Sequence, residues 1–139
     1  MSKIFELVAN ISIKYNLKFF YKIFYYIFKF FLNKKIILKF KDYKFFAYPN
    51  RKEISRTMIR SLKIWDEYIV SLIINQINEK EDIFIDIGCN YGAYSIPISK
   101  SKNQINIYSF DASKKSLDKL IENIKLNQVK NIRYFHLGI

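Results

Sequence analysis

The chain is poor in glycine and proline, with three and two in 139 residues, and it holds one cysteine and one histidine. A lone Cys89 excludes an intrachain disulfide and points to a reducing compartment. With His136 as the only histidine there is no Cys/His cluster for a structural zinc, so no metal is expected. No histidine lies near Cys89 in sequence to activate it, so it reads as filler of a turn. His136, on an expected buried strand, reads as a packed residue. A long hydrophobic run is also absent. Phe19–Leu32 is 14 residues long and contains Lys22 and Lys29, whereas a membrane span needs roughly 20 apolar residues. Lys3 is followed by Glu6 and Asn10, which interrupts any signal-peptide core. A cytoplasmic location is expected, with membrane association left open. There is no internal repeat and no Gly/Ser linker.

What the chain does have is apolar residues, 50% of the total, including 13 Phe and 11 Tyr. That suffices for a packed core and excludes a disordered tail. Its length suits one domain. The net charge is +12. Heavy use of Ile, Lys and Asn reads as compositional bias, so the total charge carries little functional weight. Its distribution is uneven: residues 1–45 hold ten Lys against Glu6 and Asp42.

Residues 4–33 read as one long helix or two. Lys14, Lys18, Lys22 and Lys29 fall on one narrow stripe at 100° per residue. Phe20, Phe24, Ile27 and Phe31 lie on the face away from it. Such a helix docks on protein or lies in a membrane interface with its lysines outward. Residues 36–40 and 44–48 are rich in strand formers around a Lys41-Asp42-Tyr43 turn, and Pro49-Asn50 ends the hairpin. A helix is expected from about Ile54 to Asn78, with Ile69, Leu72, Ile73 and Ile77 at helical spacing and Trp65 as an anchor.

From Ile83 the pattern changes. Ile83–Ile87 is an apolar run suited to a buried strand. A turn from Gly88 to Gly92 follows, then a short helix from Ala93 to Lys100. Ile105–Phe110 is a second strand, Ser113–Asn127 a helix with Leu117, Leu120, Ile121 and Ile124 inward, and Ile132–Leu137 a third strand. That alternation argues a parallel α/β sheet with right-handed crossovers.

The chemistry lies in Asp86-Ile87-Gly88-Cys89-Asn90-Tyr91-Gly92. Gly88 and Gly92 allow a sharp turn with no Cβ in a ligand's way. Asp86 sits at the carboxyl end of its strand, where ligands bind in open α/β sheets. Asp111 ends the next strand, 25 residues later, placed to accept hydrogen bonds from ribose hydroxyls. The dinucleotide pattern G-x-G-x-x-G/A needs its second Gly beside a pyrophosphate. Asn90 stands there and would crowd one, which weighs against NAD. A methyl donor has no phosphate, so S-adenosylmethionine tolerates Asn90. Asn also enters left-handed backbone conformations more readily than most residues.

Residues 83–95, Ile-Phe-Ile-Asp-Ile-Gly-Cys-Asn-Tyr-Gly-Ala-Tyr-Ser, resemble the first motif of FkbM-type methyltransferases, D-x-G-A-N-x-G-x-Y. Tyr108-Ser109-Phe110-Asp111-Ala112-Ser113 resembles their second motif, normally F-E-P, and Leu120–Asn127 their L-x-x-N-x-x-L-N helix. The resemblance implies a Rossmann-like methyltransferase fold over about residues 80–139. It implies S-adenosylmethionine as cofactor and a sugar or small-molecule hydroxyl as acceptor, with nucleic acid not expected as a partner. Asp86, Gly88, Asn90, Gly92 and Asp111 would form the cofactor site. Two departures stand out: Cys89 replaces Ala, and Asp111-Ala112 replaces Glu-Pro. Such a fold has about seven strands and the pattern here stops after the third, so a partial protein is expected and no catalytic base can be named.

Ser95-Ile96-Pro97 and Glu122–Asn127 also resemble archaeal-type tRNA guanine methyltransferases. Their usual G-x-G core tells against that alternative. A third reading is a non-catalytic membrane-surface or interaction module built on residues 4–33. The expected organisation is a basic aromatic helix over 1–34, a hairpin and lead-in helix over 35–80, and a partial cofactor domain over 81–139.

Overall fold

A computed structural model describes residues 2–29, 34–49, 54–78 and 82–138. Contacts gather into two units, Met1–Trp65 and Asp66–Ile139.

The first unit begins with two helices, α1 (Ser2–Lys14) and α2 (Lys18–Phe28). Between them Asn16 takes a left-handed conformation at φ 55°, and Leu17 N donates to Ser12 O at 3.0 Å. The hairpin strands β1 (Ile36–Lys39) and β2 (Lys44–Ala47) pair antiparallel, Ile36 opposite Ala47. Helix α1 caps the edge of β1 with side chains. Ile37 N donates to Glu6 Oε2 at 2.9 Å, and Lys39 N donates to Asn10 Oδ1 at 2.8 Å. Glu6 and Asn10 thus satisfy an edge strand that would otherwise offer bare backbone groups. Helix α3 (Ile54–Ser61) receives the Tyr21 hydroxyl, which donates to Ile59 O at 2.6 Å.

The buried face of α2 is not the expected one. Phe20 and Ile27 are 69% and 59% exposed, whereas Tyr21 and Tyr25 are buried and Phe24 is half-buried. Phe31 and Asn50 lie outside the described residues. The reason is the break at Asn16. It folds α2 back so that Tyr21, Phe24 and Tyr25 meet the ring of Phe5 on α1, and aromatic pair geometry then selects the inward face. No described helix is long and apolar enough to cross a membrane.

The second unit holds α4 (Glu67–Gln76), β3 (Ile83–Ile87), α5 (Ser95–Ser101), β4 (Asn106–Asp111), α6 (Lys114–Asn127) and β5 (Ile132–His136). The helix expected over 54–78 is therefore two, parted where Leu62 and Asp66 take positive φ. On α4 it is Val70 that is buried, while Ile69 and Leu72 are exposed. Trp65 lies at the exposed end of the first unit's α3 connection rather than in a core.

The three strands are parallel in the order β3-β4-β5, with Ile83 opposite Asn106 and Ile107 opposite Ile132. This is the expected α/β sheet, with helices as the crossovers. Helix α6 is capped by Ser113, whose side chain accepts from Ser116 N. The face bearing Asp86, Ile107 and Ser109 is buried. On the other face Ile83, Ile85 and Ile87 are 52–62% exposed. The strand expected to be buried on both faces is thus buried on one, because successive right-handed crossovers in one direction put α5 and α6 on the same side. His136, expected to be packed, is also exposed. It sits on the edge strand, where its Nε2 lies 3.0 Å from Ala112 O.

Candidate functional site

The Gly88–Gly92 turn connects the end of β3 to α5, and its backbone is tied to the neighbouring strand. Gly88 N and Cys89 N both donate to Phe110 O, at 2.9 and 3.0 Å. Asn90 N donates to Asp111 Oδ2 at 2.8 Å, and Ser113 N donates to Asp111 Oδ1 at 2.7 Å. The two acids singled out in sequence come to the carboxyl ends of adjacent strands, as expected. Their surroundings differ. Asp111 is half-buried at the mouth of the turn, and each of its oxygens accepts one bond and keeps capacity for another.

Asp86 is buried beneath the turn. Its Oδ2 accepts from Ser95 Oγ, which lies 2.8 Å from Ser109 Oγ. With Asp86 ionised, the Ser95 proton is committed to the carboxylate and Ser109 is the donor to Ser95. Burial pushes the Asp86 carboxyl above the ordinary carboxylate range. The Ser95 hydrogen bonds offset part of that, and the Asp111 charge adds to it.

Three positive φ values build the turn: Gly88 at 74°, Asn90 at 50° and Gly92 at 81°. The glycines serve different ends. A Cβ on Gly88 would meet nothing within 4 Å, so this glycine faces open space. A Cβ on Gly92 would lie 2.5 Å from Leu120 Cδ1 and 3.1 Å from Ile96 Cγ1, so this one lets α6 pack against the turn. Asn90 Oδ1 is buried and accepts no hydrogen bond from the protein. Cys89 is buried and its thiol is pushed up to about 12, chiefly by burial and then by Asp86 and Asp111. A thiol so held disfavours the thiolate that a nucleophile needs.

Sequence reasoning named the turn but missed two supports. Asn123 of α6 is fully buried and its Nδ2 donates to Tyr91 O at 2.9 Å. Ser95 holds Asp86. Both carried a signal: a polar residue at an inward helix position needs a partner. Among the described residues no group of His, Cys, Asp and Glu could hold a metal ion.

Residues 80–138 match the family model described as a putative methyltransferase. No curated protein matches the chain in sequence. Solved structures with a similar fold include M. jannaschii TYW2 in complex with AdoMet, at 19% identity and a TM-score of 0.58, covering 76% of this chain and 44% of that one. Another is the Pyrococcus abyssi tRNA (uracil-54, C5)-methyltransferase in complex with S-adenosyl-L-homocysteine, at 15% identity and a TM-score of 0.54, covering 73% of this chain and 24% of that one. A tRNA methyltransferase of M. jannaschii is similar at 18% identity and a TM-score of 0.54, covering 76% and 30%. This chain therefore spans less than half the length of each. The expectation that nucleic acid is no partner is overturned, because these fold relatives include enzymes of tRNA. Asn90, which in sequence tells against a G-x-G core, takes φ 50°, a left-handed backbone that a glycine there would also allow. Residues 80–138 thus match a model of putative methyltransferases, and their fold is similar to that of a structure solved in complex with AdoMet.

Proposed function

We propose that this chain is part of an S-adenosylmethionine-dependent methyltransferase that acts on RNA. The observation that carries the cofactor reading is the union of turn and second acid through Asn90 N and Asp111 Oδ2. That bond fixes a carboxylate beside an open glycine, an arrangement suited to a ribose held over the turn. The remaining acceptor capacity of Asp111 would take the two ribose hydroxyls. Gly88 would let the ligand lie against the backbone, and the orphaned Asn90 Oδ1 would accept from a donor such as the cofactor's amino group. Asp86 and Gly92 would support the turn from below. When bound, the cofactor supplies an electrophilic methyl group. The chain's own part is to orient it for in-line attack, so proximity is the main catalytic contribution.

The acceptor class rests on the fold relatives, several of which are enzymes of tRNA. The FkbM-like pattern at Asp86–Tyr94 supports the other acceptor, a sugar hydroxyl. Calorimetry of the full chain with S-adenosylmethionine tests the cofactor site, and no heat of binding would overturn it. Incubation with cofactor labelled in its methyl group, against total tRNA and against a mixture of saccharides, tests the acceptor. Label in the RNA is expected. Label in the saccharide fraction would return the reading to sugar O-methylation.

A further inference from the structure

We infer that the first unit carries an RNA-phosphate groove between α2 and α3, lined by Lys18, Lys22, Lys29, Arg56 and Arg60 around Tyr26. The inference rests on the reading that the acceptor is RNA, and it assigns that polyanion a seat.

Two cavities share this ground. One, of about 310 Å³, is lined in part by Tyr26, Lys29, Arg56 and Arg60. The other, of about 400 Å³, is lined in part by Lys18, Lys22, Tyr26 and Arg60. Tyr26 and Arg60 belong to both, so the two form one continuous cationic surface. No carboxylate lines either cavity among the described residues.

The spacing strengthens the case. Lys18 and Lys22 stand four residues apart on α2, and Arg56 and Arg60 four apart on α3. Like charges at that spacing destabilise a helix, and here two such pairs sit on packed helices. The repulsion is relieved when a polyanion binds. Tyr26 is 48% exposed, with Lys29 Nζ over its ring at 5.1 Å from the centroid. An exposed ring among cations is what an unpaired base stacks on, with phosphates on either side. The total charge of the chain said little. Five cations from two helices converging on one ring say more, because each neutralised phosphate releases counterions. The exposed apolar side chains Ile4, Leu7, Phe19, Phe20 and Ile23 would suit a lipid surface, but they are not among the groups that line the two cavities.

The test uses the full chain and a fluorescent tRNA transcript, with binding read by anisotropy across a salt series. Arg56→Gln with Arg60→Gln should weaken binding about tenfold at low salt and flatten the slope of log affinity on log salt by about 1.5. Lys18→Gln with Lys22→Gln, on the other helix, should do the same. Arg56→Lys with Arg60→Lys should keep the parent's slope, which a purely structural role for the guanidinium groups would not allow. Cofactor binding and the thermal melt should match the parent in all three. Parent-like RNA binding by both Gln pairs overturns the groove and leaves the methyltransferase reading standing. Binding to phosphatidylserine-containing vesicles with none to RNA overturns it too. RNA binding lost in the Gln pairs while the parent fails to bind cofactor sinks the methyltransferase reading and keeps the groove.

Discussion

The backbone amide of Asn90 donates to Asp111 Oδ2 at 2.8 Å, across 21 residues of sequence. One bond thus joins the turn after β3 to the acid that ends β4. Asp111→Ala removes that acceptor, the partner of Ser113 N, and the proposed ribose contact together. Cofactor affinity should fall by roughly 1–3 kcal/mol, the range for leaving buried donors unsatisfied. Asp111→Asn keeps one acceptor oxygen and should fall between. Calorimetry with S-adenosylmethionine decides it, and equal affinity for parent and Ala variant would remove Asp111 from the ribose site.

Gly88 and Gly92 should fail in different ways. Both have left-handed φ, so either Ala carries a backbone cost of about 1–2 kcal/mol. Gly92→Ala also drives a methyl into Leu120 and Ile96, which adds roughly 1–3 kcal/mol of overpacking. Gly88→Ala meets no protein atom, so it should spare most of the stability while placing a methyl where the ligand would lie. Urea unfolding and cofactor calorimetry on both variants separate these effects. Should Gly88→Ala bind cofactor like the parent, the ligand does not approach there.

Asn123→Ala should destabilise the second unit without touching the cofactor's own contacts. It strips Tyr91 O of its side-chain donor and removes a carboxamide with no exposure of its own. A loss of about 1–3 kcal/mol is expected, seen as a lower urea midpoint at unchanged slope. A variant as stable as the parent would show that the turn holds without α6.

The Asp86 carboxyl, raised by burial, gives a pH dependence of known sign. The fold favours its protonated form relative to the unfolded chain. Its contribution is therefore most favourable at low pH. It declines as pH rises from the ordinary carboxylate value of about 4 through the raised folded value. Asp86→Asn, whose amide oxygen can still accept from Ser95, should gain on the parent over that window. The difference in unfolding free energy between the two, measured by urea titration at a series of pH values, checks it. A difference independent of pH would mean Asp86 ionises as an exposed carboxylate does.

Much of the second unit was legible because its elements are written locally. The run at 83–87 carries three Ile and a Phe, the run at 132–136 carries Ile132, Tyr134 and Phe135, Ser113 precedes a helix, and two glycines bracket the turn. These signals depend on neighbours in sequence, so reading them needs no partner. Which face of an element is buried does depend on partners. Phe20 and Tyr21 are adjacent aromatics of similar apolar weight, and only the return of α2 onto Phe5 buries the second. Ile83, Ile85 and Ile87 read as core, yet both crossover helices lie on the opposite face.

The amino-acid sequence by itself determined the parallel strands, the glycine turn and the acids at the strand ends, since period, turn chemistry and spacing are properties of short segments. Only the tertiary structure decided what those residues do for one another. It buried Asp86 on Ser95, brought Asp111 to Asn90, set Leu120 against Gly92, and placed Arg56 and Arg60 of α3 in one cavity with Tyr26 of α2. Each of these is a contact between segments distant in sequence, fixed by the packing of whole elements and not by the spacing within any one of them.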